Sequence, residues 1–159
     1  MPAESGKLSA SDLDFMRQAL WQAQSAGQAD EVPVGALVVL DGQVLGVGAN
    51  RTRRDGLVSA HAELVALAEA ERAFGDFRLE GSVIYVTVEP CLMFLGAILQ
   101  ARVARIVYGA PEPKFGALGG RFDLRGHPLV ARLDILGGVL QDEAAALLSG
   151  FFRELREAK

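Results

Sequence analysis

The stretch VEPCLMFLGA (residues 88–97) joins the end of an apolar run to the start of a helix. Pro90 suits the first turn of a helix, where its missing N–H would be unpaired in any case. The helix dipole at that position lowers a thiol pKa and favours the thiolate form of Cys91. A second cysteine three residues later would place two sulfurs on one helix face for a metal, but that position holds Phe94. Taken alone, Cys91 is better explained as a small buried hydrophobic residue.

A second short motif, SAHAE (residues 59–63), precedes another predicted helix. His61 and Glu63 would point in different directions from one turn, so one side chain can bind a metal while the other handles protons. Taken alone this motif is weak. An isolated histidine is more often a hydrogen-bonded packing or surface residue, and Glu63 suits the positive end of a helix dipole without any catalytic role.

The rest of the chain alternates predicted helices with short apolar runs. Asp41-Gly42 predicts a type I′ turn, and therefore a β-hairpin, within residues 33–49. Hydrophobic spacing predicts helices from Ser9 or Ser11 to about Gly27, His61 to Phe74, Cys91 to Arg102 and Asp142 to Glu157, and strands at 82–88, 104–110 and 133–136. Residues 50–60 and 111–128 are expected to be loops. This order predicts a three-layer α/β/α sandwich with a central mixed sheet of about five strands. Ligands of such sheets bind beyond the carboxyl ends of strands, where His61 and Cys91 are expected.

Length and composition narrow the class of protein. The 159 residues fit a single domain, which we expect at residues 9–159 after a flexible tail at residues 1–8. A formal net charge of −4 predicts no general affinity for nucleic acid, so any such site must be a local basic patch. Cys91 is the only cysteine, which excludes an intramolecular disulfide. No apolar run approaches membrane-spanning length, and the polar start lacks a signal peptide. We expect a soluble cytoplasmic protein.

Together, the His-x-Glu and Pro-Cys-x-x motifs resemble those of the cytidine deaminase-like zinc hydrolases. The resemblance narrows to the bacterial tRNA-specific adenosine deaminases. Segments similar to that family, in its order, are EVPVGALVV (31–39), GANR (48–51), AHAEL (60–64), YVTVEPCLM (85–93), GAILQARV (96–103), YGAPEPKFGALGG (108–120) and AALLSGFFRELR (145–156). They cover nearly the whole chain from the first helix to the last.

The resemblance implies a zinc-dependent hydrolase that converts adenosine to inosine at the anticodon wobble position of a tRNA. It implies His61 and Cys91 as Zn²⁺ ligands and Glu63 as the proton shuttle. Zinc would lower the pKa of its bound water to roughly 7, and a nearby carboxylate can then move protons without binding the metal. For substrate binding the family pattern implies Asn50 on the purine edge, pocket walls from Val32, Pro33 and Val34, and backbone contacts from Ala62, Glu89 and Pro90. It also implies a homodimer.

Two local groups of basic residues are candidates for binding the tRNA anticodon stem-loop. Arg51, Arg53 and Arg54 follow Asn50, while Lys114, Arg121 and Arg125 are interleaved with Phe115 and Phe122. Single-stranded RNA is commonly bound by basic residues at phosphates and aromatic rings stacked on bases. Six scattered basic residues are ordinarily a solvated surface. Their expected position around the pocket, together with the resemblance, favours RNA binding.

Phe94 is the main departure from the family, because it cannot replace the third zinc ligand. Met93 would leave the ligand face of the helix, and His127 lies in a distant loop. Zinc sites normally have three or four protein ligands, so two make a weak site. A second departure is HPLVARLDI (127–135), which lacks the family's usual Asn-His and affects some RNA contacts.

Three interpretations of Phe94 follow. It can be an introduced change in a normal deaminase, a natural change with weak or rearranged metal binding, or the mark of a pseudoenzyme that binds RNA and dimerises. Deamination of a free nucleobase is a further alternative, since it uses the same zinc motif. Because the other expected site residues are present, we expect an enzyme scaffold with one disabling change.

Overall fold

The computed structural model describes residues 7–158; residues 1–6 and 159 lie outside that range. Its strands are β1 (Gly35–Leu40), β2 (Gln43–Ala49), β3 (Val83–Val88), β4 (Arg105–Ala110) and β5 (Asp134–Leu136). Its helices are α1 (Ala10–Gln28), α2 (Thr52–Asp55), α3 (Ala62–Phe74), α4 (Leu92–Ala101) and α5 (Gln141–Glu157). Among the described residues, no helix is both long and apolar enough to cross a membrane.

The strands form one mixed sheet within residues 7–158, in the order β2-β1-β3-β4-β5. β1 pairs antiparallel with β2 and with β3, whereas β3, β4 and β5 run parallel. One face packs on α1 and the start of α5, through a cluster that includes Met16, Tyr85 and Val139. The other face packs on α3 and α4, through a cluster that includes Ala66 and Ile98. The predicted three-layer sandwich with a central mixed sheet is confirmed.

Local chemistry accounts for the first elements. Ser9 caps α1: its hydroxyl accepts the Asp12 N–H at 3.1 Å, while the Asp12 carboxylate accepts the Ser9 N–H at 3.0 Å. Asp41 and Gly42 both have positive φ, at 50° and 77°, as the predicted type I′ turn requires. The predicted tail at residues 1–8 falls mostly outside the described range, and Lys7 within it accepts a hydrogen bond from Arg105 at 3.2 Å.

The glycines of β2 bring α3 directly onto the sheet. A Cβ atom at Gly48 would collide with the carbonyl oxygen of Ala62, and one at Gly46 with that of Ala66. Only a residue without a side chain allows this approach. The first turn of α3 is therefore held against the β2 edge of the sheet, and His61 immediately before it takes a fixed place.

The prediction of an uninterrupted loop at residues 50–60 was wrong, because Thr52–Asp55 forms the short helix α2. A four-residue helix has no hydrophobic periodicity for a sequence pattern to detect. Its N-cap residue Arg51 makes no side-chain capping hydrogen bond, and the neighbouring Asn50 Oδ1 accepts only the Thr52 N–H. The next two N–H groups of α2 donate to Glu31, more than 20 residues away in the chain.

Candidate active site

The structure brings together the three side chains predicted to carry the chemistry. His61 is the N-cap of α3, and its Nδ1 lies 3.7 Å from Oε1 of Glu63, which is 5% exposed. Cys91 is the N-cap of α4, just beyond the carboxyl end of β3, and it interacts electrostatically with Glu63. Neither cap residue makes a side-chain capping hydrogen bond by the usual geometry.

The prediction of a lowered pKa for Cys91 was wrong. Burial of the thiol raises its pKa; backbone N–H groups of Phe94 and Met93 lower it in part, and the Glu63 carboxylate raises it further. Burial likewise raises the pKa of Glu63, and its own backbone N–H and His61 oppose that rise. The helix dipole argument considered only the favourable field at the helix start, whereas desolvation disfavours the Cys91 thiolate and the Glu63 carboxylate.

Phe94 lies where the family pattern places a third ligand, and its side chain is fully buried. It belongs to the apolar cluster of α3 and α4, with Cys91 packed against that cluster. Met93 is 40% exposed, and His127 lies elsewhere, with its Nδ1 accepting the Leu129 N–H at 3.2 Å. Neither residue forms part of a donor group around Cys91.

The donor set does not fit a zinc site of three or four protein ligands. Across residues 7–158, no group of three or more His, Cys, Asp or Glu side chains is arranged to hold a metal ion. His61 and Cys91 supply two donors, and the Glu63 carboxylate lies 3.7 Å from His61 Nδ1 and raises the pKa of the Cys91 thiol.

The predicted base-binding residues lie on two segments that are bonded to each other. Asn50 is 7% exposed; its Nδ2 donates to the Val32 carbonyl at 3.2 Å, and its Oδ1 accepts the Thr52 N–H at 3.2 Å. The Asn50 N–H donates to the Val34 carbonyl at 3.1 Å. Pro33, which lies between Val32 and Val34 in the chain, is buried. An asparagine amide has two N–H donors and two acceptor lone pairs, so one of each remains for a base.

Glu89 and Pro90 already have partners within the protein. The Glu89 side chain, 3% exposed, accepts the N–H groups of Glu112 at 3.1 Å and of Leu118 and Gly120 at 2.9 Å. The Pro90 carbonyl accepts the Ala117 N–H at 2.9 Å. These contacts fasten the loop at residues 111–120 beside the site. Ala62 is buried in the first turn of α3, where backbone N–H groups have no intrahelical partner.

Sequence reasoning did not identify Glu31, which the structure places at the centre of the basic segment. Its carboxylate is 1% exposed, with Oε1 accepting the Arg53 N–H and Oε2 accepting the Arg54 N–H, both at 2.9 Å. Arg53 Nη1 also donates to the Asp30 carbonyl at 2.9 Å. Contacts across 22 and 23 residues leave no local signal in the sequence, so only the folded chain reveals them.

Both predicted RNA-binding segments border the site. Arg51, Arg53 and Arg54 lie on or beside α2, which the Asn50 and Glu31 contacts join to residues 31–32. Lys114, Phe115 and Arg121 lie in or next to the loop that is bridged to Cys91 at Gly116. Phe115 is 59% exposed, with Lys114 Nζ 5.5 Å from its ring centroid. Arg125 is paired with Asp123 at 2.6 Å, so its charge is partly neutralised.

A three-layer sandwich with His-x-Glu and Pro-Cys at the starts of two helices beside one sheet defines a deaminase of the cytidine deaminase-like fold. The profile of the MafB19-like deaminases matches residues 10–156. A tRNA-specific adenosine deaminase from Agrobacterium fabrum (strain C58) is 45% identical over 143 residues, which cover 89% of this chain and 94% of that protein. The chain belongs to the tRNA-specific adenosine deaminase family.

A solved structure agrees with this assignment, and one further relative has a different name. A solved structure from a study of A-to-I editing by tRNA:A34 deaminases at the wobble position has a TM-score of 0.80 and 43% identity, covering 85% of this chain and 99% of that one. A tRNA(Ile)-lysidine synthase from Deinococcus radiodurans is 49% identical over 142 residues, which are 89% of this chain but only 24% of that protein. This chain therefore resembles about a quarter of the synthase.

Proposed function

We propose that this chain binds the anticodon stem-loop of a tRNA and carries the scaffold for hydrolytic adenosine-to-inosine conversion at the wobble position, with the chemical step impaired by Phe94. The observation that carries the proposal is the complete burial of Phe94 one turn after Cys91, where it contributes packing and no metal donor. Membership of the family suggests zinc as the cofactor. The chemical step is impaired because His61 and Cys91 are too few donors for a metal ion, and not because the fold is lost.

The substrate follows from the surroundings of the site. Two basic segments, each anchored to a residue beside the pocket, frame a group of partly buried polar side chains. Positive groups offset backbone phosphates, and the exposed Phe115 ring provides a surface for a stacked base. An unpaired loop suits this arrangement because its bases are already splayed from a helix.

The roles that we assign to this chain's residues follow their positions. Hydrolysis replaces the 6-amino group of adenine with oxygen from water and releases ammonia, so a group must accept a proton from water and deliver protons to the ring and the leaving nitrogen. Glu63 is the residue for this task, because its carboxylate is buried, lies 3.7 Å from His61 Nδ1 and is close enough to Cys91 to raise the pKa of that thiol. The free N–H and lone pair of Asn50 would orient the purine edge, and Val32–Val34 would form the wall. His61 and Cys91 are the donors that would hold a metal, and their set is incomplete.

Assembly and compartment complete the proposal. We assign a homodimer, because Leu92 and Met93 at the start of α4 are 49% and 40% exposed beside the site. A partner subunit would cover this apolar surface. A cytoplasmic location fits a tRNA substrate and a chain with one cysteine and no intramolecular disulfide.

The proposal is tested with a synthetic anticodon stem-loop that has adenosine at the wobble position. Fluorescence anisotropy measures binding, and nucleoside mass spectrometry measures inosine. We expect salt-dependent binding together with slow inosine formation or none. Failure to bind would overturn the substrate, and brisk turnover with Phe94 in place would overturn the impairment. Release of product from free guanine, cytosine or adenine without conversion of the RNA would support the nucleobase alternative instead.

A further inference from the structure

We infer that Glu31 is a positioning residue that fixes α2 before RNA arrives, so that Arg53 and Arg54 are presented to RNA phosphates in a preset arrangement. This inference rests on the proposed RNA-binding function. It concerns a residue outside the predicted catalytic and binding set, whose side chain acts through the arginine backbone and not on the substrate.

The first support is that α2 is too short to be stable through its own backbone hydrogen bonds. Nucleation of a helix is unfavourable because several backbone angles are fixed before hydrogen bonds form. A helix of four residues gains almost no internal hydrogen bonds to offset this. Local side chains contribute one exposed ion pair, between Arg51 and Asp55, and one acceptor, the Asn50 Oδ1 for the Thr52 N–H, which leaves the Arg53 and Arg54 N–H groups without a local acceptor. Glu31 supplies what is missing, because each of its carboxylate oxygens accepts one N–H from the first turn. Hydrogen bonds to an ionised acceptor are among the stronger ones in proteins.

The second support is that the hydrogen bonds of Glu31 to α2 are buried and belong to a larger set of contacts between residues 30–32 and residues 50–54. Glu31 is 1% exposed, so water does not compete for its oxygens. Next to it, Arg53 Nη1 bonds to the Asp30 carbonyl and Asn50 Nδ2 bonds to the Val32 carbonyl. Residues 30–32 thus hold residues 50–54 at several points. The same set of contacts therefore fixes both the basic segment and Asn50, the residue predicted to bind the purine edge.

The consequence for RNA binding is that the basic segment loses less conformational entropy when the RNA binds. A flexible basic loop would have to be ordered when RNA binds, and that cost would subtract from affinity. A segment already fixed by Glu31 avoids it. Arg53 is held at its backbone and at Nη1, which donates to the Asp30 carbonyl at 2.9 Å. Arg54 is held at its backbone N–H, so its guanidinium group can still adjust to a phosphate.

The test is a double-mutant cycle on affinity for the anticodon stem-loop. Glu31→Gln keeps the shape, but its NH₂ group would face a backbone N–H and cannot accept it. We expect Kd to rise about tenfold and the dependence of Kd on salt to weaken, since fewer phosphates are neutralised. In an Arg53→Ala/Arg54→Ala background, the same substitution should change Kd by less than about twofold, because coupled residues are not additive.

Asp12→Asn is the matched control. Asp12 is also a buried carboxylate that holds an arginine, but it belongs to the other face of the sheet. This variant should lose thermal stability and keep the original Kd. Equal losses of affinity from Glu31→Gln in both backgrounds, or an equal loss from Asp12→Asn, would overturn the inference, because a general structural effect would then be sufficient.

Amide hydrogen exchange separates this inference from the proposed function. In the RNA-free protein, Glu31→Gln should accelerate exchange at the Arg53 and Arg54 amides at least about tenfold, because their acceptor is lost. If Glu31→Gln does not fold, Glu31→Asp keeps the charge but not the reach and should give the same result. Unchanged exchange at both amides would overturn the positioning role. A third outcome is that Glu31→Gln accelerates exchange at both amides but the unaltered protein does not bind the RNA. That outcome would leave the role of Glu31 in fixing α2 intact and overturn the proposed substrate.

Discussion

The Glu89 carboxylate occupies the space beside Gly120 that a side chain would need. The Gly120 N–H donates to Glu89 Oε2 at 2.9 Å, and a Cβ atom at Gly120 would lie only 2.7 Å from Oε1. A Cβ at Gly116 would likewise collide with this carboxylate. Gly116 and Gly120 therefore let the loop close around one buried charge next to Cys91.

This relationship predicts that Gly120→Ala destabilises the protein. We expect the free energy of unfolding to fall by about 1–3 kcal/mol, because the added methyl group overpacks against a fixed carboxylate and the Glu112 carbonyl. Urea unfolding followed by circular dichroism measures the change.

Gly126→Ala is the control for that substitution, since a Cβ at Gly126 would meet no atom within 4 Å. Its free energy of unfolding should stay within about 0.5 kcal/mol of the original. If the two variants lose the same stability, the contact with Glu89 does not restrict position 120.

The fold was predictable where short-range chemistry determines the backbone. Asp41-Gly42 encodes its turn by residues that tolerate positive φ, and Ser9 with Asp12 encodes the start of α1. The helix starts that place His61 and Cys91 were also predicted within a residue. These signals act over a few positions and are therefore visible in the sequence.

The site was less predictable, because burial and long-range contacts determine its chemistry. Glu31 and Glu89 each bond to backbone groups more than 20 residues away, and no periodicity records that. The raised pKa of Cys91 comes first from desolvation, which depends on the whole fold. The identity of the site residues came from the family motif. Their roles remain predictions.

The buried Asp12 predicts a pH dependence of stability. Burial opposes ionisation of this carboxyl, but hydrogen bonds from Arg105, from the Ser9 backbone and from Tyr85 outweigh it and lower its pKa to about 2. A folded pKa below the ordinary value of 3.8 stabilises the folded state above pH 3.8, and that stabilisation disappears as pH falls toward 2. We expect its contribution to be about 2 kcal/mol at neutral pH.

Asp12→Asn measures this contribution. Urea unfolding at pH 6 should show a clear loss of stability in the variant, and the difference from the original protein should shrink as pH falls from about 4 toward 2, where Asp12 becomes protonated in the folded state. A difference that is constant across this range would show that the loss arises from packing and not from the charge.

The exposed start of α4 predicts where two subunits meet. Light scattering at micromolar concentration should give twice the mass of the chain. Met93→Lys should give the monomer, because a charge would be buried without a partner. Trp21→Lys is the control, since Trp21 is a 73% exposed apolar side chain on α1. If Trp21→Lys gives the monomer while Met93→Lys remains a dimer, the interface lies on the opposite face of the sheet.

Phe94→Cys is the substitution that tests the origin of the impairment. It would add a third donor one turn from Cys91, and we expect about one zinc per chain by elemental analysis, against substoichiometric zinc in the unaltered protein. Because Phe94 is fully buried, the metal-free variant should also lose about 3 kcal/mol of stability through the cavity. Added zinc should recover part of that loss by binding the folded state.

Inosine formation in the anticodon stem-loop then separates an enzyme from a scaffold. Phe94→Cys should raise the rate by more than about 100-fold, since a bound metal supplies several kcal/mol of charge stabilisation. Adding Glu63→Gln to that variant should leave the zinc content unchanged and abolish inosine, because the proton carrier is lost while the donors remain. Full zinc occupancy and rapid turnover with Phe94 in place would contradict the incomplete donor set. A zinc-loaded Phe94→Cys protein that binds the RNA and forms no inosine would favour the non-catalytic RNA-binding interpretation.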